Sequence, residues 1–123
     1  MISPYRPETE FYTPEGCYIV EVLTGKNDNS CSIARARVRP GVTTKLHALK
    51  GIEERYVILD GEGSVEIADG PATSVRPLDV AVIPAGQSQR ITNTGTGELV
   101  FLCVCTPPFD SNAYVNLEGQ GSS

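Results

Sequence analysis

Apolar and polar residues alternate in short runs along this chain, and clusters of Gly, Pro, Asn and Asp break the runs apart. No window of helical length carries apolar residues at i, i+3, i+4 and i+7. β-Branched and aromatic residues crowd the runs instead, so the pattern predicts an all-β fold. Eight strands are expected: Cys17 to Leu23, Cys31 to Val38, Leu46 to Leu49, Arg55 to Leu59, Ser64 to Ala68, Val80 to Ile83, Gln89 to Asn93 and Leu99 to Cys105. The breaks "TGKNDNS", "RPGVTT", "DGEG", "DGPATS", "PAGQS" and "NTGTGE" hold the residues that tight turns require. Short strands at such regular spacing point to a barrel or a two-sheet sandwich, because both arrangements limit exposed strand edges.

The length of 123 residues suits one domain burying roughly two-thirds of the surface its unfolded chain exposes. Its expected parts are an N-terminal arm over residues 1–16, a barrel over 17–106 and a tail over 107–123. The proline-punctuated arm has two destinations open to it, across its own barrel or onto a partner subunit. The tail starts with Pro107-Pro108 and finishes in a polar Gly/Ser-rich stretch that is expected to fray. The net charge is −5, from acids scattered throughout, and no Lys/Arg cluster or basic-aromatic interleaving occurs. That balance argues against nucleic acid and membrane surfaces as partners. The longest apolar runs are strand-sized, and the N-terminus lacks the apolar core of a secretory signal, so a cytoplasmic location is expected. In that setting the four cysteines are expected as reduced thiols.

The chemistry-bearing residues gather around the single histidine, His47. Side chains alternate across a strand, so Glu54, Tyr56 and Ile58 share a face, and His47 shares one with Leu49. Gly41, five residues, His47, one residue, Leu49, four residues, Glu54, six residues and Gly61 reproduce the spacing of the first motif of the cupin superfamily. The stretch "LDVAVIPAGQSQRITN" then resembles the second motif in register, with Leu78, Pro84, Gly86, Gln89 and Asn93 at its marked positions. The chain is therefore similar to small single-domain cupins, which implies a jelly-roll β-barrel, the double-stranded β-helix.

That resemblance also implies a site. The family binds a metal with a His-x-His pair, a Glu and a third His. Here those positions hold His47, Leu49, Glu54 and Gln89. The implied metal set is His47, Glu54 and Gln89, for a divalent ion such as Mn, Fe, Zn or Ni. Two imidazoles and a carboxylate, the usual requirement of iron oxygenases, cannot be assembled from one histidine. The metal-free use of the same residues is acid–base work by His47 and Glu54 in an apolar cavity. Tyr56 would donate a hydrogen bond, while Gln89 and Leu49 would contact substrate. The implied function is an enzyme of isomerase, lyase or oxygenase type acting on a small polar metabolite, and the alternative is a non-catalytic metabolite-binding module. Pairing as a homodimer is implied too.

Two further segments bear on the cavity. In "CSIARARVRPG" the small residues Ser32, Ala34, Ala36 and Val38 alternate with Ile33, Arg35, Arg37 and Arg39. The small face is expected to look inward and leave room for a ligand. The opposite register would line the cavity with Arg35 and Arg37, making Arg35 a contact for an anionic substrate. Cys103 and Cys105 could join His47 in a sulfur-rich metal site, but "FLCVCTPP" reads first as a buried strand in which Cys acts as a small hydrophobe.

Overall fold

The structure is a computed structural model that describes residues 1–119. Eleven strands form: β1 (Phe11–Tyr12), β2 (Tyr18–Leu23), β3 (Ser32–Val38), β4 (His47–Leu49), β5 (Glu53–Asp60), β6 (Gly63–Ile67), β7 (Thr73–Val75), β8 (Val80–Ile83), β9 (Gln89–Asn93), β10 (Leu99–Thr106) and β11 (Tyr114–Asn116). The predicted strands are all present within a few residues, and three short ones, β1, β7 and β11, add to them. Every pairing is antiparallel, in a six-stranded sheet ordered β1, β2, β3, β10, β5, β8 and a five-stranded sheet ordered β11, β4, β9, β6, β7. The expected barrel is thus two separate sheets whose apolar faces meet, the arrangement of a double-stranded β-helix.

Period-two alternation decides which side chains fill the interior. Along β5, Glu54, Tyr56 and Ile58 are buried while Arg55 and Val57 are half-exposed, and along β9 Gln89, Ile91 and Asn93 are buried in the same way. Ile58, Ile83, Ile91, Leu99 and Val38 are almost wholly enclosed, each contributing about 1.5–3 kcal/mol of hydrophobic stabilisation. β10 runs through the middle of the larger sheet, paired with both β3 and β5, which explains its unbroken apolar sequence. Gly61 turns β5 into β6 with φ +85°, and a Cβ there would meet the Glu98 carbonyl oxygen at 2.5 Å, so no other residue fits this corner.

The arm stays with its own chain: β1 pairs with β2 and extends the larger sheet. The tail folds back rather than trailing away. Asp110 caps a single 3₁₀ turn at Ser111–Ala113, and β11 then pairs with β4, bringing Tyr114 beside the histidine. The Gly/Ser-rich end expected to fray lies mostly outside the described residues, at 120–123. Among the described residues no helix is long and apolar enough to cross a membrane.

Candidate active site

β4 and β9 set His47 directly opposite Gln89, and β5 brings Glu54 onto the interior from the facing sheet. The third contributor was not foreseen. Thr13, Pro14, Glu15 and Gly16 form a tight turn between β1 and β2, closed by Gly16 N–H donating to Thr13 O at 3.0 Å. Lys45 N–H donates to the Glu15 carbonyl at 2.8 Å, and this holds the turn against the start of β4. The Glu15 carboxylate consequently lies 3.2 Å from His47 Nδ1.

These contacts fix the imidazole. His47 Nδ1 also lies 2.9 Å from the Lys45 carbonyl, so both of its neighbours are acceptors and Nδ1 carries the hydrogen. The other ring nitrogen, Nε2, has no protein partner among the described residues and keeps its lone pair. Tyr114 stacks on the ring at 4.9 Å between centroids with 14° between planes, which leaves the imidazole little rotational freedom. His47 is 4% exposed.

Glu54 faces the same space. Burial pushes its carboxyl up from the usual carboxylate range. The nearby His47 ring opposes that shift, as does the Gln89 amide, whose Nε2 approaches without reaching hydrogen-bonding geometry. One carboxylate oxygen, Oε2, accepts a weak bond from Cys105 Sγ at 3.5 Å, and Oε1 is buried with no partner. The thiols around the site are held protonated by burial: Cys17 is pushed up to about 12, and Cys103 and Cys105 are raised as well.

Two spaces that share lining residues adjoin these groups. A chamber of about 30 Å³ is bordered by Glu15, Cys17, His47, Glu54, Tyr56 and Cys103, room for one or two waters or for the reacting end of a ligand. Glu15, Ile19, Glu54 and Cys103 also border a larger cavity of about 180 Å³ that opens outward past Phe11 and Phe109. Spaces of this size suit a small molecule.

Several expected site residues have other positions. Arg35 lies on the outer face of β3, 3.9 Å from Glu10 and 5.9 Å from the Tyr5 ring, because the small face of the strand, Ala34 and Ala36, turns inward. Leu49 packs with Ile52 and Cys105 under Tyr114 and borders neither space. Gln89 is fully enclosed behind the chamber wall, its amide oxygen accepting the Tyr56 hydroxyl. Tyr56 itself borders the chamber and packs on Phe101, with its hydroxyl proton committed to Gln89.

The donors present do not fit the metal that the cupin resemblance implies. Leu49 replaces one imidazole, the Gln89 oxygen is engaged by Tyr56, and the amide nitrogen left over is no ligand. Among the described residues no three His, Cys, Asp or Glu side chains are placed to hold an ion.

Two antiparallel sheets enclosing a small chamber define a double-stranded β-helix protein. The chain belongs to the Cupin domain family (Cupin_2), whose model matches residues 34–105, more than half of its length. It is 39% identical to the oxalate-binding protein of Thermotoga maritima over a stretch covering 58% of this chain and 58% of that protein, less than two thirds of either. In structure it is similar to a predicted oxalate decarboxylase from Thermotoga maritima, with TM-score 0.73, 25% identity and coverage of 85% and 98% of the two chains. A second structural relative is the oxalate decarboxylase of Bacillus subtilis, a protein with Mn(II) centres: TM-score 0.75, 24% identity, 89% of this chain and 30% of that one.

Proposed function

We propose that this cupin is an acid–base enzyme that isomerises or dehydrates a small polar metabolite at the chamber shared by His47 and Glu54. The observation that carries the reading is the pinned imidazole. Nδ1 is fixed by Lys45 O and the Glu15 carboxylate, and the ring borders the same small space as a carboxyl that burial raises. An imidazole with a free nitrogen facing a carboxyl raised by burial makes a base and an acid on one space. His47 Nε2 takes a proton from the substrate, Glu15 steadies the imidazolium that results, and Glu54 gives its own proton to the departing or rearranging oxygen. Water entering through the open cavity returns both groups to their starting states.

The test is solvent isotope exchange. Small polar metabolites incubated with the tag-free protein in deuterium oxide should gain deuterium or lose water, and His47→Ala should slow this by about 10²–10⁴-fold. Undiminished turnover in a folded His47→Ala protein contradicts the proposal. The name of the Thermotoga relative favours a second reading, a module that binds without reacting. A metabolite that is retained and released unchanged supports that reading.

Homodimerisation belongs here as well. Leu78, Val80 and Val82 are 80%, 54% and 50% exposed on and beside the edge strand β8, an apolar rim that a second copy would cover. Light scattering at a clean monomer mass would contradict it.

A further inference from the structure

The larger cavity has an unusual balance of charge. Glu15, Glu21 and Glu54 border it, and neither it nor the inner chamber is bordered by any Lys or Arg among the described residues. Glu15 is answered by His47, whereas Glu21 has no ion pair among the described residues. Glu54 is only 7% exposed, and its Oε1 faces no donor at all. A buried carboxyl oxygen without a partner, here the one not engaged with Cys105, marks the place of a donor that the protein does not supply.

The rest of the lining narrows the choice of donor. Phe11 and Phe109 stand at the opening, each 46% exposed, and Ile19, Leu23 and Ile33 make the walls apolar. Aromatic faces beside carboxylates attract an organic cation by cation–π and Coulomb terms together. A dicarboxylate such as oxalate would instead set its charges against the carboxylates of Glu15 and Glu21, with no Lys or Arg between them. A neutral alcohol would satisfy Oε1 but leave the Glu21 charge unanswered.

From these observations we infer that the cavity takes a small organic ammonium ion carrying a short apolar chain, its N–H donors directed at Glu54 Oε1 and its charge shared by Glu21 and the two phenylalanines. The inference deepens the proposed acid–base site by giving its substrate class, and it rests on that reading only for where the reacting atoms lie.

The test is calorimetric titration of the tag-free full chain with propylammonium, 1-propanol, propionate and oxalate. Propylammonium should bind about tenfold more tightly than 1-propanol, while propionate and oxalate should give no binding heat. Glu21→Gln, at an exposed position, and Phe109→Ala should each weaken the ammonium about threefold to tenfold. Propionate or oxalate binding as tightly as propylammonium overturns the inference. So does the absence of ammonium binding, or binding indifferent to both substitutions. The two readings fail separately. His47-dependent isotope exchange on an uncharged metabolite would sink the ammonium class and keep the acid–base chemistry, whereas ammonium binding with no exchange on any amine would do the reverse.

Discussion

Replacing Glu54 by Gln should make the protein more stable, and more so as pH rises. The side chain is 7% exposed, one oxygen has only a thiol donor at 3.5 Å and the other has none, so ionising it in place is opposed by burial. Gln keeps the shape and an acceptor for Cys105 while removing the charge. Leaving a buried polar group unsatisfied costs about 1–3 kcal/mol, and a buried charge costs more. Since Gln keeps one imperfectly paired polar end, a net gain of about 1–2 kcal/mol at neutral pH follows, or roughly 4–8 °C in Tm for a chain of this size. The sign of the pH dependence comes from the raised carboxyl. Below the unfolded value of 4.5 both states are protonated, and Glu and Gln proteins should be equally stable. Above it the unfolded chain releases the proton that the native state still holds. The parent therefore loses stability with rising pH until the folded group also ionises, and the advantage of Gln grows across that window. Urea unfolding of both proteins between pH 4 and 8 measures it. A Gln variant less stable than the parent at pH 7, or a difference that does not change with pH, would refute the reasoning.

Asn93 is 2% exposed and ties the end of β3 to the loop between β9 and β10, with Nδ2 donating to Val38 O and Gly97 O at 2.8 Å and Oδ1 accepting from Gly95 N at 2.9 Å. Asn93→Ala should cost about 3–5 kcal/mol in urea unfolding, and a loss below 1 kcal/mol would show that water replaces these bonds. Leu78 holds φ +75° while 80% exposed, so Leu78→Gly relieves about 1–2 kcal/mol of strain against a smaller entropic loss. A net gain of about 0.5–1 kcal/mol in the monomer is expected, and destabilisation would indicate that Leu78 makes contacts in a dimer. Of the four free thiols, Cys17 and Cys105 are buried and half-buried Cys103 borders the inner spaces with its thiol raised by burial, whereas half-buried Cys31 borders neither space. Ellman's reagent at pH 8 should therefore modify one thiol quickly in the native protein and all four in denaturant, and two fast native thiols would contradict the packing.

The strands were legible because alternation and turn residues are local signals, and Glu54, Tyr56 and Ile58 share an inner face as their spacing requires. β1, β7 and β11 were not, since they are two or three residues long and exist only by pairing with neighbours distant in sequence. The inward turn of Ala34 and Ala36 followed from side-chain size, whereas the outward fate of Arg35 is sealed by Glu10 and Tyr5 from an arm whose path the sequence leaves open. Glu15 went unseen for a similar reason: "TPEG" announces a turn, but only the Lys45 to Glu15 backbone bond shows which residue it delivers to the histidine. Gln89 occupies its expected strand position, yet spacing alone cannot show that Tyr56 claims its oxygen. Leu78 holds a left-handed backbone that glycine adopts more readily, which no pattern of apolar and polar residues announces.

The account's central claim is that Glu15 and Lys45 O hold the hydrogen of His47 on Nδ1 and leave Nε2 free for chemistry. A chain with a single histidine makes this directly observable. Long-range proton–nitrogen NMR of the tag-free, nitrogen-15-labelled protein, at a pH where the ring is neutral, should show a protonated Nδ1 and a pyridine-like Nε2, with this preference weakened in Glu15→Gln. A ring protonated on Nε2, or a mixture of tautomers indifferent to Glu15, would contradict it.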